Sequence, residues 1–338
     1  MRTALLPLLL PVAACGAAGA PAPDFIADFV SRSNPVTCVP VPGTNPGRAV
    51  SEMSSVDDTS FLVLYADAAE VAWHGPDLRV RWAVPLPSSG AGRIIQPQSA
   101  ALAGDSLVYV ADRGRLNLRA FDLAGNERGT IELGFPPQRV RVRGRELLVT
   151  PVVFGRNPPH LLYTLAAGTT AAPAPLPVPV AHYADFAIKG LANLTVLETF
   201  HDGRAIVAHQ FLFPHAYLFS WGDAAVPRRV PLPLPDGVRA DVDFVPEMPV
   251  TDAVLERMVT PVIASAVDHR TGDFLYITRS GRRVRDFLEK AIVRLDRQLR
   301  YRRSYLLNVN AIHHAYLPGR AVSIVVDDLN RWYECLTP

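Results

Sequence analysis

The chain has 338 residues, is 49% hydrophobic and 20% charged, and carries a formal net charge of +2. That balance belongs to a globular chain large enough to bury a substantial core, and a small charge on scattered basic residues sets nucleic acid aside as a partner. Lys189 and Lys290 are the only lysines, so the arginine content reflects compositional bias and is weak evidence for phosphate recognition.

The first residues carry an address. Arg2 supplies a positive charge, residues 4–11 a short apolar run broken by two prolines, and Val12-Ala13-Ala14-Cys15 a small-residue cleavage site. The run is too short to cross a bilayer as a helix. Ending on cysteine, the segment resembles a bacterial lipobox, which implies removal of residues 1–14 and a lipid on Cys15. Gly16 in place of an aspartate favours, by the same resemblance, the outer membrane. The expected organisation is a signal peptide (1–14), a membrane tether (15–35) with a short helix at 24–31, and one folded domain (36–338).

From residue 36 onward the signals are those of strands. Residues 36–41 read as an edge strand interrupted by Pro40. Hairpins follow: 61–67 with 71–73, 107–112 with 120–122, 146–150 with 161–165, 204–209 with 216–220, 274–278 with 291–295, and 321–327 with 332–335. Apolar runs at 98–102, 139–142, 183–188, 262–267 and 311–315 predict the strand preceding each hairpin, and Ser54-Ser55-Val56 is a poor candidate for the first. The Ala-Asp endings at Asp67 and Asp112 repeat at a length suited to a four-stranded blade. No helical period alternates with the strands, which argues against a parallel α/β sheet.

The stretch 104–125, Gly-Asp-Ser-Leu-Val-Tyr-Val-Ala-Asp-Arg-Gly-Arg-Leu-Asn-Leu-Arg-Ala-Phe-Asp-Leu-Ala-Gly, resembles the NHL-type repeat of β-propellers. The resemblance implies an all-β, six-bladed propeller, with seven blades as the alternative if the insertion at 231–260 hides strands. Within that insertion, 251–258 predicts a short helix capped by Thr251. Residues 171–180, alternating proline with small and apolar residues, predict an extended outer strand or loop. The last blade runs out of chain after Cys335, so residues 36–41 are expected to supply its outer strand. Two cysteines remain beside Cys15 in an exported chain, and ring closure predicts a Cys38–Cys335 disulfide.

Function is less legible. The sequence has no Gly-x-Ser-x-Gly, His-Glu-x-x-His, Cys-x-x-Cys or glycine-rich phosphate loop. In a propeller the loops between second and third strands share a face with the inter-blade connections, and both border the channel. Those segments contain Arg93, Arg113, Arg156, His160, His182, His209 and Arg279, which could bind an anionic ligand through charge-assisted hydrogen bonds. A solvated arginine-rich face is the bland reading of the same residues. His160, His209, His313 and His314 are the candidates for a metal, without local ligand spacing. Asp67, Asp112 and Asp327 share one blade position, where an aspartate satisfies backbone N–H groups, although lactonase-type propellers hold calcium. Asn193-Leu194-Thr195 fits a glycosylation sequon by chance, and Trp73, Phe121, Tyr163, Phe219 and Tyr333 suit inter-blade packing. The sequence points to an envelope-anchored propeller that binds an anionic ligand or an envelope protein, with no cofactor. A metal-dependent hydrolase or lyase acting in the channel is the alternative.

Overall fold

A computed structural model describes residues 24–43, 48–153, 158–169, 171–183, 186–220, 226–238, 259–284 and 287–338. The lipobox with Cys15, the Arg156 loop and residues 251–258 lie outside them. Six antiparallel sheets form a closed ring. Blade 1 comprises Val50–Asp57, Ser60–Tyr65, Glu70–His74 and Val80–Pro85. Blade 2 comprises Pro97–Ala103, Leu107–Asp112, Asn117–Asp122 and Glu127–Glu132, and blade 3 Pro137–Arg143, Glu146–Pro151, His160–Ala166 and Ala174–Pro179. Blade 4 follows with Thr195–Thr199, Ala205–His209, His215–Phe219 and Arg228–Pro231, and blade 5 with Ala264–Asp268, Asp273–Val284, Phe287–Leu295 and Tyr301–Leu307. Blade 6 takes Ala311–Leu317, Val322–Asp327 and Trp332–Leu336 from the C-terminal part of the chain and Cys38–Pro40 from its start.

Closure is covalent. Cys38 pairs in register with Cys335, and the two form a disulfide across 297 positions.

Each gap between neighbouring blades holds its own apolar cluster, because strand alternation sends every second side chain to one face of a blade and the remainder to the other. Phe121 packs between blades 1 and 2, Tyr163 between 2 and 3, Phe219 between 3 and 4, and Tyr333 between 5 and 6. Trp73 also packs between blades 1 and 2, against Trp82 at 5.4 Å. Inter-blade packing thus accounts for all five predicted aromatics.

Three expectations change. Residues 183–188 were expected to form the inner strand of blade 4, but Phe186–Ala192 is a helix and the strand is Thr195–Thr199. Asn193, fully buried between them, bonds through its amide to both backbone groups of Ala181 and to Lys189 O. It is a structural clasp with no room for a glycan. The hairpin of blade 5 is longer than predicted and runs to Val284 and Phe287. At its bend Gly281 has φ +83°, and a Cβ there would overlap the Gly237 backbone, so the close approach requires glycine.

The third change is at the start of the chain. Phe25–Ile26 pairs in parallel with Leu234–Pro235, Asp236 accepts from the backbone N–H of Asp28 at 2.9 Å, and Phe29 is wholly buried. Asn34–Val36 then adds a fifth, parallel strand to blade 5. Residues 25–36, inside the stretch expected to be tether, therefore pack on the propeller.

Candidate functional site

The six inner strands enclose a channel. One end, here the loop face, carries the inter-blade connections and the loops between second and third strands; the other, the turn face, carries the tight turns. Halfway along, charged side chains from facing blades close it. Arg141 on blade 3 donates through Nη1 to Glu52 Oε1 on blade 1 at 3.0 Å and through Nε to Glu198 Oε2 on blade 4 at 3.3 Å. Arg139 reaches the same Glu52 oxygen at 3.2 Å. Glu52 Oε2 accepts from Ala100 N at 3.0 Å and Glu198 Oε1 from Ser265 Oγ at 2.7 Å, which brings in blades 2 and 5. Arg141, Glu52 and Glu198 are all under a tenth exposed. Burial tends to lower the Arg141 pKa, but the two carboxylates outweigh it and hold the guanidinium firmly charged. Burial also pushes the Glu198 carboxyl up, against the pull of Arg141.

This ionic partition leaves a pocket at each end. The loop-face pocket, about 140 Å³, is lined by Glu52, Arg139, Arg141, Gln210 and His313 among others. The turn-face pocket, about 250 Å³, includes Ser54, Ser55, Arg143, His201 and His269.

Of the seven residues expected to contact a ligand, Arg156 lies outside the described residues and none of the other six lines the loop-face pocket. Arg93 and His182 are exposed, and Arg113, His160 and Arg279 are half-buried. The Arg93 carbonyl accepts from Arg115 Nε at 2.9 Å, and His160 stands edge-on to Tyr163 at 6.3 Å. His209 is 2% exposed. It donates from Nδ1 to Ala192 O at 2.9 Å and stacks edge-on against His215 and Phe213, which makes it a core residue.

The four histidines considered for a metal do not converge. His313 and His314 both border the loop-face pocket, but the His314 ring is buried with its Nε2 3.0 Å from Ser323 Oγ. Among the described residues no group of three or more His, Cys, Asp or Glu is placed to hold a metal ion. The recurrent aspartates cap backbone instead. Asp112 accepts from the N–H groups of Ile95, Gln96 and Gly114, Asp327 from those of Leu329 and Arg331, and Asp67 from those of Ala49 and Ala68.

Several histidines are held neutral by burial. His209, His269 and His313 are lowered to about 4, and His215 and His314 to about 3, with burial first in every case. A depressed folded pKa means that the unfolded chain binds protons first as pH falls below the ordinary histidine value. The melting temperature is therefore expected to fall steadily from about pH 6.5 toward pH 4. His209→Gln, which removes one titrating ring, should flatten that slope; an unchanged melting temperature down to pH 4 would contradict the assignment.

Sequence reasoning missed Glu52, Arg139, Arg141, Glu198 and Gln210. The available signal was charge inside an inner strand: Arg139 and Arg141 alternate with Val140 and Val142, and a closed ring leaves such side chains only the channel or a paired site between blades.

No family model and no curated protein matches this chain. Solved structures do. A member of the DUF4221 family from Bacteroides vulgatus superposes with TM-score 0.62 at 8% identity, over 90% of this chain and 96% of its own. Regucalcin from Agrobacterium tumefaciens, described as a calcium-binding protein, gives 0.54 at 12% identity over 90% and 97%. Hydrazine synthase from Kuenenia stuttgartiensis gives 0.51 at 12% over 88% and 99%. At these identities the likeness speaks to fold alone, and with the six closed sheets it makes this chain a six-bladed β-propeller.

Proposed function

We propose that the chain is an NHL-like propeller lipoprotein of the bacterial envelope, anchored through Cys15 in the outer membrane, that binds an anionic ligand or an envelope protein at its loop face. The observation that carries the binding reading is the ionic partition. Arg141, Glu52 and Glu198 are bonded to one another, so the charged groups deep in the channel are occupied by structure. At the floor of the loop-face pocket, Arg139 keeps a fifth of its side chain exposed beside Gln210 and His313. A guanidinium in that position offers planar donors to a carboxylate or phosphate. Arg93, Arg113 and Arg279 stand further out on the same face and would add attraction at longer range.

One experiment with two arms tests this reading. In cells fed an alkyne fatty acid, the wild-type protein should be labelled and sediment with membranes, whereas Cys15→Ala should be unlabelled. Titration with inorganic phosphate and with succinate should detect binding by at least one, weakened roughly tenfold in Arg139→Gln, about what one charge-assisted hydrogen bond contributes. Absence of label would remove the anchor, and absence of binding by both anions would remove the anionic-ligand reading.

A further inference from the structure

On the turn face, charge is distributed unevenly around the ring. In blades 1 and 2, Arg79 has Asp77 at 3.7 Å and Arg128 is paired with Asp122, with Asp57, Asp58 and Asp105 in nearby turns. In blades 4 and 5 the balance reverses. Arg204, Arg228, Arg270, Arg297, Arg300 and Arg302 lie in or beside the turns there. Direct bonds tie several together: Arg204 Nη1 to Arg297 O at 2.6 Å, Arg228 Nη2 to Gln298 O at 3.4 Å, and Arg297 Nε to Thr271 O at 2.5 Å. Among the described residues the nearby acids are Asp202, Asp268, Asp273 and Asp296; Asp223, between Phe219 and Arg228 in sequence, lies outside them. Two of these, Asp268 and Asp273, are engaged by the buried Arg294 at 2.5 and 2.8 Å. Asp202 pairs with Arg204 and Asp296 with Arg300. Even when paired, Arg300 and Arg302 keep 76% and 49% of their side chains exposed. Arg228, Arg270 and Arg297 are exposed as well. Cations thus dominate the solvent side of this sector.

A second observation concerns where the chain enters the ring. Residues 24–36 run along the outer rim of these same two blades. Leu234 N donates to Asp24 O at 2.7 Å, and the Arg32 guanidinium lies 5.5 Å from the centre of the Tyr301 ring. From Cys15 to Asp24 a fully extended chain spans about 30 Å at most. Asp24 sits beside the connection from blade 4 to blade 5, at the loop-face end of that rim, and the remaining reach lets a lipid on Cys15 hold the blade 4–5 side of the propeller, turn face included, close to the bilayer.

We infer that the turn face of blades 4 and 5 is a docking surface for an anionic phospholipid leaflet, set beside the rim that receives the lipid-bearing segment. The inference rests on the lipoprotein reading above and deepens it. A lipid on one cysteine anchors the domain without orienting it, and a basic patch beside the anchor adds attraction to an anionic leaflet that sets which face meets the bilayer. Docking in this way directs the loop-face pocket away from the membrane, toward soluble ligands or partners.

The test uses residues 16–338 produced in an oxidising compartment; these include every residue of the described ring and carry no lipid. Sedimentation with vesicles of equimolar phosphatidylglycerol and phosphatidylcholine should recover the protein, less of it as salt is raised, and vesicles of phosphatidylcholine alone should not. The triple variant Arg228→Gln, Arg297→Gln, Arg300→Gln should partition about a hundredfold more weakly. Arg79→Gln with Arg128→Gln, on the opposite sector, should leave partition unchanged, and melting temperatures would verify that both variants are folded. Equal recovery with neutral vesicles, unchanged binding by the triple variant, or displacement by soluble glycerol phosphate would each overturn the docking surface. Fatty-acid labelling of Cys15 is read separately. Labelled protein whose soluble domain ignores anionic vesicles sinks the surface alone, and vesicle binding without label sinks the anchor alone.

Discussion

Replacing Cys38 or Cys335 with serine is expected to destabilise the propeller by about 5 kcal/mol, the chain-entropy value for so long a closed loop. For a chain of this size that corresponds to a fall in melting temperature of about 10 °C or more. The effect is large because the bond ties the strand from the start of the chain to the C-terminal hairpin of blade 6, which closes the ring. Without it, Cys38–Pro40 is held to Trp332–Leu336 by a three-residue ladder and the adjoining Val41 N–H to Trp332 O bond at 2.9 Å, with the Cys38 N–H also bonded to Asn308 Oδ1 at 2.9 Å. The two single variants should lose equal stability, the double variant no more than either, and reduction of the wild type should reproduce the loss. Additive losses in calorimetry would mean that the two thiols act independently.

The second large effect belongs to Arg141. Arg141→Met should cost about 3–5 kcal/mol, because it leaves Glu52 and Glu198 buried without their shared cation. Removing all three charges together, as Glu52→Leu, Arg141→Met and Glu198→Leu, should come close to wild-type stability or exceed it, since the desolvation of three ions disappears with their attraction. The pH profile separates the cases. Burial already raises the Glu198 carboxyl, and loss of the arginine raises it further. A folded-state pKa above the unfolded value means that the native protein binds the proton first, so stability falls as pH rises between those two values. Relative to wild type, Arg141→Met should therefore lose least stability near pH 4 and most at neutrality, a difference opposite in sign to the histidine effect that both proteins share. Denaturant midpoints at pH 4 and pH 7 measure it, and a profile parallel to wild type would show that the carboxylates are not electrostatically coupled to Arg141.

The propeller was legible because its signals are local. Alternation in 107–112 and 120–122, the turn glycines and the recurrent aspartates each specify a hairpin without reference to the rest of the chain. Closure by residues 38–40 was legible by elimination, as the last blade lacked a strand. What failed depended on tertiary context. Residues 183–188 have strand-like composition, yet Asn193 clasps Ala181 and Lys189, and Phe186–Ala192 is a helix. The rim-hugging path of residues 24–36 follows from one buried Phe29 and one Asp236 carboxylate more than two hundred positions away. The ionic partition was hidden for a related reason: Glu52, Arg141 and Glu198 are far apart in sequence, and only the ring brings them within bonding distance. The outer-loop arginines, by contrast, were visible as charges in turns, and the structure leaves them at the periphery.

The path of the first described residues also sets an order of events during synthesis. Phe25 needs Leu234, Asn34 needs Tyr305 and Cys38 needs Cys335. Residues 25–38 thus have partners more than two hundred positions later in the chain, and long-range pairing of this kind is slow. Five blades can assemble their own hairpins while residues 25–40 still wait. Once they dock, oxidation of one cysteine pair marks the completed ring.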